Sequence, residues 1–236
     1  MKLQRFFVKE KLGDLRVGEG FFVADEEMKN QLRKVFRFRG GEVVELFDGS
    51  GFDFKSEIRD FKLKGTDFIL VAKNKNKNIS NIEVHLFQSI IKKDNFEWVV
   101  EKCTELGVHA FHPIISERSE KKDLNPERLV RIAKEASEQS GRGEVPEIFA
   151  QTNLSGAVEN FNGKLLAFDF DVPNVISKLQ NLKNLKKIGI FIGPEGGWSE
   201  GDLRILNDAK VEIVSLGKQV LRAETASIVV STIFLI

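Results

Sequence analysis

From Ile79 onward the apolar positions fall into short runs separated by stretches of helical spacing. Ile82–Phe87, Phe111–Ile115, Leu165–Phe170, Lys187–Ile192 and Val211–Val214 read as strands of a largely buried sheet. Between the first two, Phe96, Val99, Val100, Cys103 and Leu106 share one helical face, with Asp94 three residues before Glu97 as a capping signal and Gly107 as a stop. Asn125-Pro126-Glu127 opens another helix with a cap, a proline at the first helical position and an early acid, and the pattern ends near Gly141. Strands alternating with helices predict an α/β domain with a mostly parallel sheet covered on both faces.

Residues 1–72 have a different rhythm. Phe6-Phe7-Val8, Gly20–Val23, Gly41–Phe47 and Phe68–Ala72 are β-rich, and Asp48-Gly49-Ser50-Gly51 is a hairpin signal, so a small β-barrel is expected. Glu26–Phe38 reads as a short helix entering a strand. It carries Lys29, Arg33, Lys34, Arg37 and Arg39 with Phe36 and Phe38 interleaved, which suits phosphate contact plus base stacking, or else a solvated face over two buried rings. Lys73–Asn78 contains no apolar residue and marks a linker or exposed turn. The expected layout is a barrel over 1–72, a linker over 73–80 and the α/β domain over 81–236.

Composition narrows the chemistry. With 236 residues and 42% hydrophobic content, the chain can bury a substantial core. A formal charge of +1 means that any basic patch is local. Cys103 is the single cysteine, which excludes an internal disulfide, and its place on the apolar helical face makes it a core residue. No apolar leader follows Met1, and the terminal run Ile228–Ile236 is too short to span a bilayer, so a cytoplasmic location is expected, without a membrane partner. His109 and His112 stand at i and i+3 in an apparent strand and would point to opposite faces, so no metal site is expected. There is no Ser-His-Asp order, no phosphate-binding G-x-x-x-x-G-K-[ST] and no G-x-G-x-x-G.

Two glycine-bearing loops remain. Phe191-Ile192-Gly193-Pro194-Glu195-Gly196-Gly197-Trp198-Ser199 and Ser215-Leu216-Gly217-Lys218-Gln219-Val220-Leu221-Arg222-Ala223-Glu224-Thr225-Ala226 each follow a strand and lead to a helical pattern. By themselves they are either ligand loops or tight strand-to-helix turns. Their wording resembles the RsmE family of 16S ribosomal RNA uridine-N3 methyltransferases of the knotted SPOUT superfamily. Arg5-Phe6-Phe7, Leu46–Gly51, Trp98–Val108, Ser116–Ser119 and Glu135–Arg142 extend the likeness over nearly the whole chain. The resemblance implies a PUA-like amino-terminal barrel that recruits ribosomal RNA, a trefoil-knotted α/β domain, S-adenosylmethionine as cofactor and a homodimer acting in ribosome biogenesis, with 16S rRNA in an assembled small subunit as partner. Where the family carries a histidine pair near the start of the basic helix, this chain has Met28-Lys29-Asn30.

By the same resemblance, Phe168, Ile192, Gly193, Glu195, Gly196, Leu216, Gly217, Val220 and Leu221 would hold the cofactor, although Leu216, Val220 and Leu221 also read as plain core. Arg5, Arg33, Lys34, Arg37, Arg39, Glu138, Gln139 and Arg142 are the candidate RNA contacts, and the last three would reach across a dimer. Uridine N3 is barely ionised at neutral pH, so its attack needs a general base or a cation beside the forming anion. Arg222 fits the cationic role, and Glu224 fits the base or an orienting partner. A mutual or cross-interface ion pair is the structural alternative for both. A non-catalytic ribosome-assembly protein with a degenerate site would lack reason for intact glycines and Arg222. A small-molecule enzyme would leave the basic barrel unexplained.

Overall fold

The computed structural model describes residues 3–119, 124–170, 172 and 185–236. The chain divides into two units, Met1–Ile79 with Ser137–Val145, and Ser80–Ala136 with Pro146–Ile236.

In the first unit, β1 (Arg5–Phe7), β2 (Gly20–Val23), β3 (Val43–Phe47), β4 (Phe52–Lys62) and β5 (Gly65–Lys75) form one sheet in the order β1-β3-β4-β5-β2. Only the β1–β3 pair is parallel. Phe6, Val44, Leu46, Phe54, Phe68 and Leu70 meet in its core. The β3–β4 hairpin turns where Gly49 and Gly51 both take φ of 78°, a region closed to most side chains. Asp48 braces it, accepting from the Ser50 amide at 2.9 Å and the Leu12 amide at 2.8 Å.

The basic segment departs from expectation. α1 (Glu26–Asn30), capped by Asp25 at 2.8 Å from the Met28 amide, runs into one π-helical turn, Gln31–Val35, and no strand begins before Val43. Arg37, at φ 57°, breaks the extension. Phe36 and Phe38 stack at 5.5 Å and pack on the core, so neither ring stands out for base stacking. The polar stretch after residue 72 is exposed except at Asn76. β5 continues to Lys75, and the Asn76 side chain is buried, donating to both Asp53 carboxylate oxygens (2.9 and 3.0 Å) and to the Gly141 carbonyl (3.0 Å).

In the second unit, β6 (Glu83–Ser89), β7 (Ala110–Ile115), β8 (Glu147–Ile148), β10 (Lys164–Phe168), β11 (Lys187–Ile192) and β12 (Glu212–Val214) form a wholly parallel sheet in the order β12-β10-β11-β6-β7-β8, and β9 (Thr152–Asn153) also pairs with β7. Among the described residues its helices are α2 (Lys93–Leu106), α3 (Pro126–Ser140), α4 (Leu154–Glu159), α5 (Glu200–Asp208) and α6 (Ala223–Leu235). Gly107 closes α2 with φ 113°. Asp94 lies in the first turn of α2 rather than capping it, since Lys92 holds the cap, and Glu97 instead accepts from Arg128 Nε at 2.7 Å. After edge strand β12 the chain returns as α6 to pack on α2, β6 and β11.

Candidate functional site

Parallel strands collect their following loops at the carboxyl edge of the sheet. Here the end of β10, the loop after β11 and the loop after β12 enclose a cavity of about 360 Å³. Of the expected cofactor residues, Phe168, Ile192, Gly193, Glu195, Gly196, Leu216, Val220 and Leu221 line it. Gly217 does not. It shapes the turn, with φ 140° and its amide donating to Ser215 Oγ at 3.2 Å. Val220 is 71% exposed, so it forms the rim and is not core. Trp198, Ser215 and Gln219 also line the cavity and were not foreseen; an indole in an otherwise small and polar loop was the available signal for Trp198.

The loop after β11 is held from several sides. Trp198 Nε1 donates to the Phe168 carbonyl at 3.0 Å, and a side chain at Gly193 would begin 3.2 Å from the indole. Arg118 Nη1 donates to the carbonyls of Gly196 (2.8 Å) and Trp198 (3.3 Å). Gly197 closes a turn at φ 68°, its amide donating to the Pro194 carbonyl at 2.9 Å. Ser199 and Asp202 then form the capping box that the sequence suggests, with bonds of 2.9 and 3.1 Å, and start α5.

A second, open cleft of about 760 Å³ shares Glu195, Gly196 and Arg222 with the first and adds Lys92, Asn95, Arg118, Ser119 and Glu224. It is polar where the first is mainly apolar. Arg222 is exposed at the shared wall. Glu224, in the first turn of α6, is buried, and its Oε2 has no hydrogen-bond partner among the described residues. Among the described residues no ion pair links Arg222 to Glu224. An apolar pocket opening beside a cleft with a cation and an unsatisfied carboxylate can present an electrophile in one to a nucleophile in the other.

The expected RNA contacts divide. Arg33, Lys34, Arg37 and Arg39 are exposed on the first unit, with the Arg33 guanidinium 5.4 Å over the Phe61 ring. Lys29 is buried instead, its ammonium capping the Leu63 carbonyl. Arg5 also turns inward. It is buried, bound to Glu45, to Asp53 at 2.9 Å and to the Arg142 carbonyl at 2.8 Å, and lies 5.0 Å over Phe47. Arg142 is likewise buried, and burial pulls its guanidinium down to about 10, which leaves it charged at neutral pH. Glu138 accepts from the Phe7 amide at 3.0 Å, and Gln139 lines a small cavity with Arg5 and Phe36. Arg5, Glu138 and Arg142 brace the first unit, while Gln139 stays exposed.

The histidines also overturn an expectation. His109 and His112 do not point apart, because His109 precedes the first residue of β7 and strand alternation does not reach it. Both rings approach His85, at centroid distances of 5.3 and 5.2 Å. Burial pushes His85 down to about 4 and His112 down to about 3, so both are neutral at pH 7. Cys103 is buried as expected, and burial pushes its thiol up to about 12, which makes it no nucleophile. Among the described residues no helix is long and apolar enough to cross a membrane.

A parallel sheet with glycine loops gathered at its carboxyl edge, around adjoining apolar and polar cavities, defines an α/β protein with a ligand site at that edge. Residues 78–235 match the RNA methyltransferase domain, and the chain belongs to this family, in its ribosomal RNA small subunit methyltransferase E branch. The methyltransferase E of Bacillus subtilis is 28% identical over 239 residues, covering 95% of this chain and 93% of that protein. That of Aquifex aeolicus is 33% identical over 158 residues, covering 65% and 68%. The structure of the Neisseria gonorrhoeae methyltransferase E bound to S-adenosylmethionine superposes with a TM-score of 0.86 at 28% identity, covering 97% of this chain and 95% of that one.

Proposed function

We propose that this chain transfers the methyl group of S-adenosylmethionine to N3 of a uridine in 16S ribosomal RNA of the small subunit. The observation that carries the reading is the wall shared by two cavities, where Glu195, Gly196 and Arg222 face both the apolar pocket and the polar cleft. The pocket fits the cofactor on its own chemistry. Its volume suits a nucleoside-sized ligand, Phe168, Ile192, Leu216 and Leu221 supply apolar walls for a purine, and Glu195 offers a carboxylate to a cationic ligand. The bound cofactor supplies an electrophilic methyl on a sulfonium.

The remaining work belongs to the chain. Arg118 holds the carbonyls of Gly196 and Trp198, so the pocket floor is set before ligands arrive. Arg222 places a permanent positive charge at the shared wall, where negative charge spreads over O4, N3 and O2 as the imide loses its proton. Glu224 Oε2 is a buried acceptor without a donor among the described residues, and an imide N–H is a donor of the right kind. Glu224 therefore takes the N3 proton.

The first unit serves as a PUA-like barrel that recruits the RNA through Arg33, Lys34, Arg37 and Arg39, supported by their exposure together on one short stretch. The return of α6 from edge strand β12 to the middle of the sheet is the path that a trefoil knot requires. Ile233 on α6 and Trp98 on α2 remain exposed on two helices that pack together, which supports a homodimer over this face. The enzyme would act in the cytoplasm on an assembled small subunit.

Equilibrium dialysis with labelled S-adenosylmethionine tests the pocket. Incubation with small subunits from a strain lacking the enzyme, followed by mass spectrometry of the 16S rRNA, tests the substrate. Absence of cofactor binding would sink the whole reading. Binding without a 3-methyluridine product would leave a methyltransferase with another target.

A further inference from the structure

We propose that Glu83, His85 and His109 form a binding site for a borderline transition-metal dication, with zinc(II) as its probe, at the edge of the sheet opposite the catalytic cleft. Glu83 and His85 stand two apart on β6 and therefore share a face, and His109 directly precedes the neighbouring strand β7. One ligand atom from each lies within 4.8 Å of the others, and Glu83 Oε2 is 3.8 Å from His85 Nε2. Tetrahedral zinc with nitrogen and oxygen ligands holds them roughly 3.3 Å apart. Side-chain rotation closes the difference, because Glu83 is exposed and His109 is half-buried.

Two observations point to a ligand beyond the clustering itself. His85 is buried, and among the described residues its Nε2 has no hydrogen-bond partner, whereas buried polar atoms are as a rule paired. The other nitrogen is already committed, since His85 Nδ1 lies 3.0 Å from His112 Nε2. With Nδ1 as donor in that bond, the lone pair of His85 is left on Nε2, facing Glu83. This is the arrangement by which an outer partner fixes the tautomer of a metal-binding imidazole. The outer partner is itself clamped, because the His112 ring stacks at 4.2 Å on Phe87 and at 4.2 Å on Phe149.

Two imidazoles and one carboxylate, with a fourth position open to water, suit zinc, cobalt, nickel or copper better than magnesium or calcium. Lys187 pairs across from Glu83 and would oppose a cation, but its ammonium is held 5.1 Å over the Phe161 ring. Lying at the amino ends of β6 and β7, the site has no part in methyl transfer; its role is to tie two neighbouring strands.

The test uses the tag-free, chelator-treated full chain. Calorimetric titration with zinc(II) should show one equivalent bound, and cobalt(II) should give the visible bands of a four-coordinate site. Glu83→Gln and His109→Ala, both at accessible positions, should each weaken binding by at least about tenfold while methyl transfer is retained. Zinc should raise the melting temperature of the parent chain and not of the two variants. Absence of saturable binding near one equivalent would overturn the proposal, as would unchanged affinity in both folded variants.

Discussion

Replacing Arg222 by alanine separates electrostatic catalysis from cofactor binding. The side chain is exposed at the wall between the two cavities, so the worth of its charge depends on what covers it. At 4 Å from a forming uridinate, a unit charge contributes about 1 kcal/mol in open water and about 4 kcal/mol at the effective dielectric of a covered protein surface. A substrate RNA lying over the cleft would favour the larger figure, and each 1.4 kcal/mol or so is tenfold in rate. The expected loss is therefore about 10²–10³ in the single-turnover rate at saturating cofactor. The dissociation constant for S-adenosylmethionine, measured by calorimetry, should barely move, because the benefit belongs to the transition state. Raising the pH should partly rescue the variant, since more imide then arrives already deprotonated. Arg222→Lys should recover only part of the rate, a point charge being unable to span two acceptor atoms. A loss below about fivefold would mean that the charge stays in water during the reaction. Loss of cofactor affinity by the same factor as the rate would make Arg222 a binding residue, and in either case the catalytic role falls.

Other outcomes follow from the same geometry. Arg5→Ala should lower stability to urea by about 3–5 kcal/mol, because it strands Glu45 and Asp53 beside a buried backbone carbonyl; weakened RNA binding with unchanged stability would restore Arg5 as an RNA contact. Arg33→Glu with Arg37→Glu should weaken RNA binding and flatten its salt dependence while cofactor affinity holds, and a simultaneous loss of cofactor would refute that division of labour. Cys103 keeps its proton up to about 12 when folded, whereas an unfolded thiol ionises near 8.5. Its contribution to stability is thus complete below that lower value and declines as pH rises towards 12, and a thiol reagent at pH 8 should label the chain only on unfolding; rapid labelling of the native protein would contradict the burial.

Local chemistry was legible in the sequence, and long-range pairing was not. The apolar runs announced β6, β7, β10, β11 and β12, and Gly107 and Gly141 stop their helices at φ 113° and 83°, where other residues are strained. The glycine loops announced most of the pocket because close turns constrain residue type directly. β8 and β9 are two residues each, too short for any period to register. Arg5 and Arg142 looked like surface charges, since their type favours water and the partners that bury Arg5 stand 40, 48 and 137 positions away. The same distance hid His85 from His112, 27 residues on. Asn76 was read as solvated for its polarity, yet that polarity is what satisfies buried groups around Asp53 and Gly141.

The membership of Ser137–Val145 in the first unit bears on how the protein is made. A nascent chain that has emerged only as far as Ile79 carries all five strands of that unit but lacks the Gly141 and Arg142 carbonyls that Asn76 and Arg5 bind. At about 5–20 residues per second, those groups follow several seconds later, with much of the catalytic unit already translated between them. The first unit is complete only once Ser137–Val145 has left the ribosome. For the same reason a single cut in the gene does not excise the first unit.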